Sequence, residues 1–251
     1  MRRKRVPKKK QKSKGILVVA SRKRSFYCYA IQLIDSIRDF DEEVDITLVC
    51  EEWMIDERAE ELANNVIHCN DHYRAKLWGM AQSPYDLTMY LDADMMCEHE
   101  DISTVFDELG DYDVMFSALT RERDYIYAEY DFDTPDEGRQ SFDLCGGVCL
   151  YDMSKPIVRE FMEDWWELTR KQMAQEWWPE GYPTSLRQWD QFSLWWLTKK
   201  EPKYKDLKIG IFDDDMRWNY YNAWNWEKTR PEKPVVLRHF SCGVNKDFHV
   251  I

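Results

Sequence analysis

Tyr85-Asp86-Leu87-Thr88-Met89-Tyr90-Leu91-Asp92-Ala93-Asp94-Met95-Met96 is the stretch whose reading decides the fold. Leu87 to Leu91 is a short apolar run with β-branched and aromatic residues, little alternation and Ser83-Pro84 in front of it. It predicts a buried strand. The run ends in two carboxylates separated by one small residue. Strand positions i and i+2 point the same way, which predicts Asp92 and Asp94 on one side of a sheet. Two anionic oxygen ligands suit a hard divalent cation, Mn²⁺ or Mg²⁺. Such a cation, left half-coordinated by protein, binds a diphosphate and neutralises the charge that builds on it as it leaves. Asp111-Tyr112-Asp113, Asp131-Phe132-Asp133 and Asp213-Asp214-Asp215 share the spacing and read as solvated turns or helix caps. What separates Asp92/Asp94 is the apolar strand running into them, because open α/β sheets bind ligands beyond the carboxyl ends of strands.

The flanking segments extend the pattern. Ile16 to Ala20 reads as a first strand buried on both faces, followed by a basic loop, Ser21 to Ser25. Phe26 to Phe40 has helical spacing, with Tyr27, Ile31, Ile34 and Ile37 in one stripe. Asp45 to Cys50 and Val66 to Cys69 read as strands, with helices at Asp56 to Ala63 and Tyr73 to Gln82. Beyond the acidic pair come a helix (Ile102 to Leu109), a strand (Asp113 to Leu119) and a long aromatic, charged loop over residues 120–141, the usual place for functional loops. Phe142 to Tyr151 is a strand interrupted by Gly146-Gly147, which marks either a bulge or a close ligand approach. Lys155 to Gln175 is an amphipathic helix whose Phe161 and Trp165 read as core. Trp177, Trp178 and Tyr182 sit in a loop, with burial against the sheet as their expected fate. Asp190-Gln191 opens a helix, Ile209 to Phe212 is a strand, and Val235 to Arg238 is a last strand running into His239. Alternating elements of this length predict a single α/β domain with a mainly parallel central sheet flanked by helices. No G-x-G-x-x-G or Walker motif is present.

Composition bounds the class. The 251 residues are 44% hydrophobic and include 12 Trp, 14 Tyr and 11 Phe, enough for one domain with a substantial core. No apolar run approaches the ~20 residues that span a bilayer. The basic start leads into a strand-like run of five residues rather than the apolar stretch of a signal peptide. The seven cysteines are odd in number, lack a C-x-x-C pair and fall partly in strand-like runs, which predicts buried thiols in a reducing, cytoplasmic compartment. Nine of the 35 Lys and Arg residues lie within residues 1–14, which hold no acid, leaving 26 against 47 acidic residues in the rest. This predicts a basic disordered arm at 1–14 on an acidic domain at 15–251. The arm reads as a docking element for nucleic acid or an anionic membrane surface, or as a solubilising tail.

Together these pieces resemble the nucleotide-sugar glycosyltransferases of the GT-A (Rossmann-like) fold, in particular the retaining group that includes glycogenin and the bacterial lipopolysaccharide galactosyltransferases. The resemblance covers most of residues 16–246. Tyr73 to Asp94 is similar to their helix, strand and acidic triplet, with Lys76 where such enzymes place a basic residue near the nucleotide sugar. Phe142 to Leu150 is similar to the glycine-containing strand beside the donor sugar, and Asp190-Gln191 to the pair that opens the following helix. His239 to Lys246 is similar to the C-terminal element in which a histidine completes the metal site and a lysine holds the diphosphate.

The resemblance implies Asp92, Asp94 and His239 as metal ligands and Asp190 and Gln191 as catalytic. It implies Ala20, Ser21, Lys76, Ala93, Gly146, Gly147, Gly243 and Lys246 in donor binding. The implied cofactors are Mn²⁺ or Mg²⁺ and a nucleoside diphosphate sugar, with UDP-sugars favoured. The implied activity is hexose transfer with retention, to a surface glycan or a hydroxylated DNA base. Three features depart from the family pattern. The first loop is Arg22-Lys23-Arg24 where members carry an acid that reads the nucleobase. One extra residue separates His239 from Gly243, and Phe192 replaces the acid that follows Asp-Gln. The rival reading from the residues alone is a non-catalytic nucleic-acid-binding protein that uses the arm.

Overall fold

The computed structural model describes residues 12–70, 72–118, 144–212, 215–221 and 233–240. The elements begin with β1 (Lys14–Ala20), α1 (Arg24–Arg38), β2 (Ile46–Cys50), α2 (Glu57–Leu62), β3 (Asn65–His68), α3 (Ala75–Ala81) and β4 (Leu87–Asp92). Next come β5 (Met95–Cys97), a 3₁₀ stretch at Glu100–Leu109, β6 (Val114–Ala118), β7 (Leu144–Asp152), α4 (Pro156–Met173) and α5 (Asp190–Lys199). The last are β8 (Ile209–Ile211), α6 (Asp215–Trp218), β9 (Tyr220–Tyr221) and β10 (Leu237–His239).

A seven-stranded sheet of order β3-β2-β1-β4-β7-β6-β8 forms the centre. The first four strands in that order run parallel, as does the β6–β8 pair, whereas β7 is antiparallel to both β4 and β6. The reversal at β7 allows its nine residues to lie directly beside the end of β4. A smaller sheet, β5-β10-β9, pairs β10 antiparallel to β5 and parallel to β9.

The core has two layers. Ile16, Val18 and Ala20 of β1 pack under Leu33 and Ile34 of α1, and Leu17 and Val19 face α3, α4 and α5 on the other side. That two-sided burial explains why β1 reads as a continuous apolar run. Gly15 is required by packing: a Cβ there would sit 2.3 Å from the Tyr85 ring, whose hydroxyl bonds Thr47 at 2.8 Å. Burial pushes the Cys50 thiol up to about 12 and the Cys97 thiol up to about 11, so neither is a thiolate near neutral pH. Among the described residues no helix is long and apolar enough to cross a membrane.

Several expectations shift. The boundary of the basic arm moves back, because Lys14 opens β1, Lys12 Nζ lies 2.5 Å from Asp152 and the Ser13 amide donates to Asp86 at 3.0 Å. Residues 1–11 and the expected loop at 120–141 lie outside the described residues; of an aromatic loop expected at Trp218–Trp226, Trp218 instead ends α6, Tyr220–Tyr221 form β9, and residues 222–226 lie outside the described residues. The helix expected at Ile102–Leu109 takes 3₁₀ form. Trp177, Trp178 and Tyr182 pack on Phe192, Trp195 and Trp196 of α5 rather than on the sheet.

Candidate active site

Asp92 is the last residue of β4, and Ala93-Asp94 form the turn into β5. Strand geometry therefore does not continue to Asp94, and another device brings the second carboxylate into place. β5 pairs with β10 so that Met95 faces His239, and the Phe240 amide donates to the Asp94 carbonyl at 2.9 Å. His239, 4% exposed, comes to lie with Nε2 3.2 Å from Asp94 Oδ1. One ligand atom from each of Asp92, Asp94 and His239 falls within 4.8 Å of the others.

Each of these groups is held from behind. Tyr90, buried two residues before Asp92 and on the same strand face, donates its hydroxyl to Asp92 Oδ1 at 2.6 Å. A Cβ at Gly147 would lie 2.8 Å from Asp92 Oδ2 and 3.4 Å from His239 Cε1, so the glycine is what lets β7 pass beneath both residues. The two glycines also coincide with an irregular register between β6 and β7, where Phe116 faces Cys149 but Ser117 faces Cys145. Bulge and close approach are thus both present, and the approaching groups are the protein's own. Asn219 Oδ1 lies 2.9 Å from His239 Nδ1, and its Nδ2 donates to Ser117 Oγ at 2.8 Å.

A buried charge cluster adjoins the acidic pair. Lys76 Nζ lies 3.0 Å from Asp190 Oδ2, 3.4 Å from Asp92 Oδ1 and 3.4 Å from the Gly146 carbonyl. Arg74 lies 3.7 Å from Asp190 Oδ1 and donates to the Gln188 carbonyl at 2.5 Å. Burial opposes ionisation of Asp190, but Lys76 and Arg74 outweigh it and hold the carboxyl below its ordinary range. Burial likewise opposes the charge on Lys76, and Asp190 and Asp92 outweigh it, raising the ammonium pKa. Asp190 opens α5, and Trp165 Nε1 donates to its carbonyl at 3.0 Å. Next to it, Gln191 Oε1 is buried without a hydrogen-bond partner among the described residues.

These groups border a cleft of about 560 Å³ lined by Ser21, Arg22, Arg74, Lys76, Asp92 and Asp94 among others. Ala93 also lines it, whereas the Ala20 side chain turns into the core under α1. Arg22, Lys23, Arg74 and Lys76 give the cleft its cationic lining. Arg22 adopts φ 71°, a left-handed conformation that costs a non-glycine residue energy. Its amide is held by Glu51 at 2.5 Å, whose other oxygen accepts from Trp53 Nε1 at 2.7 Å. The Arg22 and Arg74 guanidinium groups lie 5.0 and 5.1 Å from the ring centre of Tyr73, which is 58% exposed.

The structure brings together Asp92, Asp94, His239, Lys76, Asp190 and the glycine pair. Gly243 and Lys246 lie outside the described residues. Sequence reading missed Tyr90, Arg74 and Asn219. Tyr90 carried a signal, its i, i+2 spacing from Asp92. Asn219 carried none.

No family model and no curated protein sequence matches the chain. Solved structures do. The glycosyltransferase GlyE of Streptococcus pneumoniae TIGR4 superposes with a TM-score of 0.58 at 14% identity, over 90% of this chain and 54% of GlyE. The chain thus spans about half the length of that protein. Galactosyltransferase LgtC, solved with donor and acceptor sugar analogues, gives 0.56 at 13% identity over 90% of this chain and 87% of LgtC. Mouse xyloside xylosyltransferase 1 gives 0.54 at 15% identity over 92% and 99%. With its mostly parallel seven-stranded sheet flanked by helices, the chain has the fold of the GT-A glycosyltransferases.

Proposed function

We propose that the chain is a metal-dependent glycosyltransferase that moves a hexose from a nucleoside diphosphate sugar to a glycan hydroxyl, with retention of anomeric configuration. The observation that carries this reading is the convergence of Asp92 and Asp94, at the end of β4, with His239 of β10, beside a cleft lined by Arg22, Lys23, Arg74 and Lys76 as well as by the two carboxylates.

The residues suit a divalent cation. Two carboxylates and one imidazole form a hard-to-borderline donor set for Mn²⁺ or Mg²⁺. Cis ligands at about 2.1 Å from an octahedral ion lie about 3.0 Å apart, close to the 3.2 Å between His239 Nε2 and Asp94 Oδ1. When bound, the cation neutralises the charge that builds on a departing diphosphate. Arg22, Arg74 and Lys76 add positive charge along the path a diphosphate would take into the cleft. Asp190, kept ionised by Lys76 and Arg74, adds a buried negative charge beside the cleft-lining Lys76, suited to a sugar carbon that becomes electron-poor. Gln191 Oε1, without a hydrogen-bond partner among the described residues, is an acceptor suited to a ligand hydroxyl. Gly243 and Lys246 enter through the resemblance alone.

Uridine is the nucleoside the resemblance favours, although Arg22-Lys23-Arg24 replaces the usual base-reading acid. A glycan acceptor is preferred to DNA, since the excess of 47 acidic over 35 basic residues repels a polyanion. A thermal-shift panel tests donor recognition: with Mn²⁺ present, one nucleoside diphosphate sugar is expected to raise the melting temperature, and its omission of metal to abolish the rise. Absence of a shift with every donor would favour the nucleic-acid-binding reading instead.

A further inference from the structure

We propose that Asn219 is a positioning residue that fixes the ring tautomer of His239, so that Nε2 presents a lone pair to the space shared with Asp92 and Asp94. The inference rests on the metal-dependent reading above but concerns a separate relay. It starts in β6 and β7 and reaches the histidine through a residue lying between α6 and β9.

Asn219 is 3% exposed and its amide has two ends with different partners. Nδ2 points at Ser117 Oγ, 2.8 Å away, and at Cys145 Sγ, 3.7 Å away. That leaves Oδ1 as the atom 2.9 Å from His239 Nδ1. An amide oxygen only accepts, so Nδ1 must carry the hydrogen, and a neutral imidazole has one. In the neutral ring Nε2 therefore carries the lone pair. Nε2 then faces Asp94 Oδ1 at 3.2 Å as acceptor against acceptor. This arrangement is unfavourable alone and correct for two ligands of one cation. Ser117 is fully buried and His239 nearly so, which keeps water from exchanging with the relay.

The opposite wiring has distinct chemistry. If the Ser117 hydroxyl donated to Oδ1, Nδ2 would donate to Nδ1 and Nε2–H would donate to Asp94. That network satisfies itself without a cation, and the histidine then has to lose its Nε2 proton contact before it can ligate. The difference is spectroscopic, so it can be read without turnover.

The test uses the full chain, metal-free, with ¹⁵N-labelled histidine at about pH 8, above the ordinary imidazole pKa. The His239 signals are assigned by their loss in His239→Gln. The expected spectrum has a proton on Nδ1; a ring protonated on Nε2 alone overturns the proposal. Mn²⁺ titration followed by electron paramagnetic resonance supplies the second readout. Asn219→Leu is expected to weaken Mn²⁺ binding about 10- to 100-fold, the usual cost of losing such a partner. Asn219→Asp, which also only accepts, is expected to stay within a few-fold of the parent. Equal affinity in Asn219→Leu and the parent overturns the proposal. Should Asn219→Leu fail to fold, Asn219→Ala, which also removes the Oδ1 acceptor, is expected to weaken Mn²⁺ binding; an unchanged affinity there overturns the proposal. A parent that carries the expected tautomer but binds no Mn²⁺ overturns the metal-dependent reading and, with it, the purpose assigned to the relay.

Discussion

Asp92→Asn/Asp94→Asn is expected to lose donor turnover by about 10³-fold or more while remaining folded, since it changes two of the three side chains proposed to hold the cation that neutralises a leaving diphosphate. The same variant is expected to lose the stabilisation that the ion gives the parent. A ligand at 100 times its Kd adds about 2.7 kcal/mol to the stability of the folded state. For a chain of this size each kcal/mol moves the melting temperature by about 2–4 °C. Saturating Mn²⁺ should thus raise the parent's melting temperature by roughly 5–11 °C and leave that of the double variant where it was. Differential scanning calorimetry with and without Mn²⁺ reads the difference. Equal shifts in the two proteins would show that the ion binds elsewhere.

Lys76→Met is expected to destabilise the fold by about 3–5 kcal/mol, the usual cost of breaking a buried ion pair from one side. The cause is Asp190, whose side chain is 2% exposed and whose nearest cation after Lys76 is Arg74 at 3.7 Å. Lys76→Met/Asp190→Asn removes the stranded charge and should recover much of the loss, because the two positions share one network. Denaturant unfolding of the four proteins in the cycle measures the coupling, and additive losses would contradict it. Acid acts on the same pair. The Asp190 carboxyl titrates below its ordinary 3.8 in the folded chain. Its contribution is therefore fully present above that value and is lost as pH falls through the lower, folded one.

The parts of this site that sequence made legible are those written into a single strand. Leu87 to Leu91 runs apolar into Asp92, and strand geometry sufficed to place the carboxylate at the sheet's carboxyl edge. Asp94 was identified for a reason that the structure replaces: a turn and the β5–β10 pairing, rather than strand alternation, bring it beside its partner. That pairing joins two three-residue strands far apart in the chain, and three residues carry no periodicity to read. His239 was reachable only by resemblance. Asn219 lies beside an aromatic segment whose pattern reveals no element, and its role depends on where β6 and β7 leave Ser117 and Cys145. The antiparallel course of β7 was equally hidden, because an apolar run has no direction. Gly146-Gly147 was legible as an anomaly, but what crowds Gly147 is Asp92, a contact between strands that only the assembled sheet creates.

The central claim is that the acidic pair, His239 and the cationic cleft together activate a nucleoside diphosphate sugar. Its most direct test is release of free nucleoside diphosphate from a panel of nucleotide sugars, with Mn²⁺ and with a mixture of glycan acceptors. The expected result is release from one donor that stops on chelation of the metal and is absent in Asp92→Asn/Asp94→Asn. Release that continues undiminished in that variant, or in the presence of excess chelator, would contradict the claim.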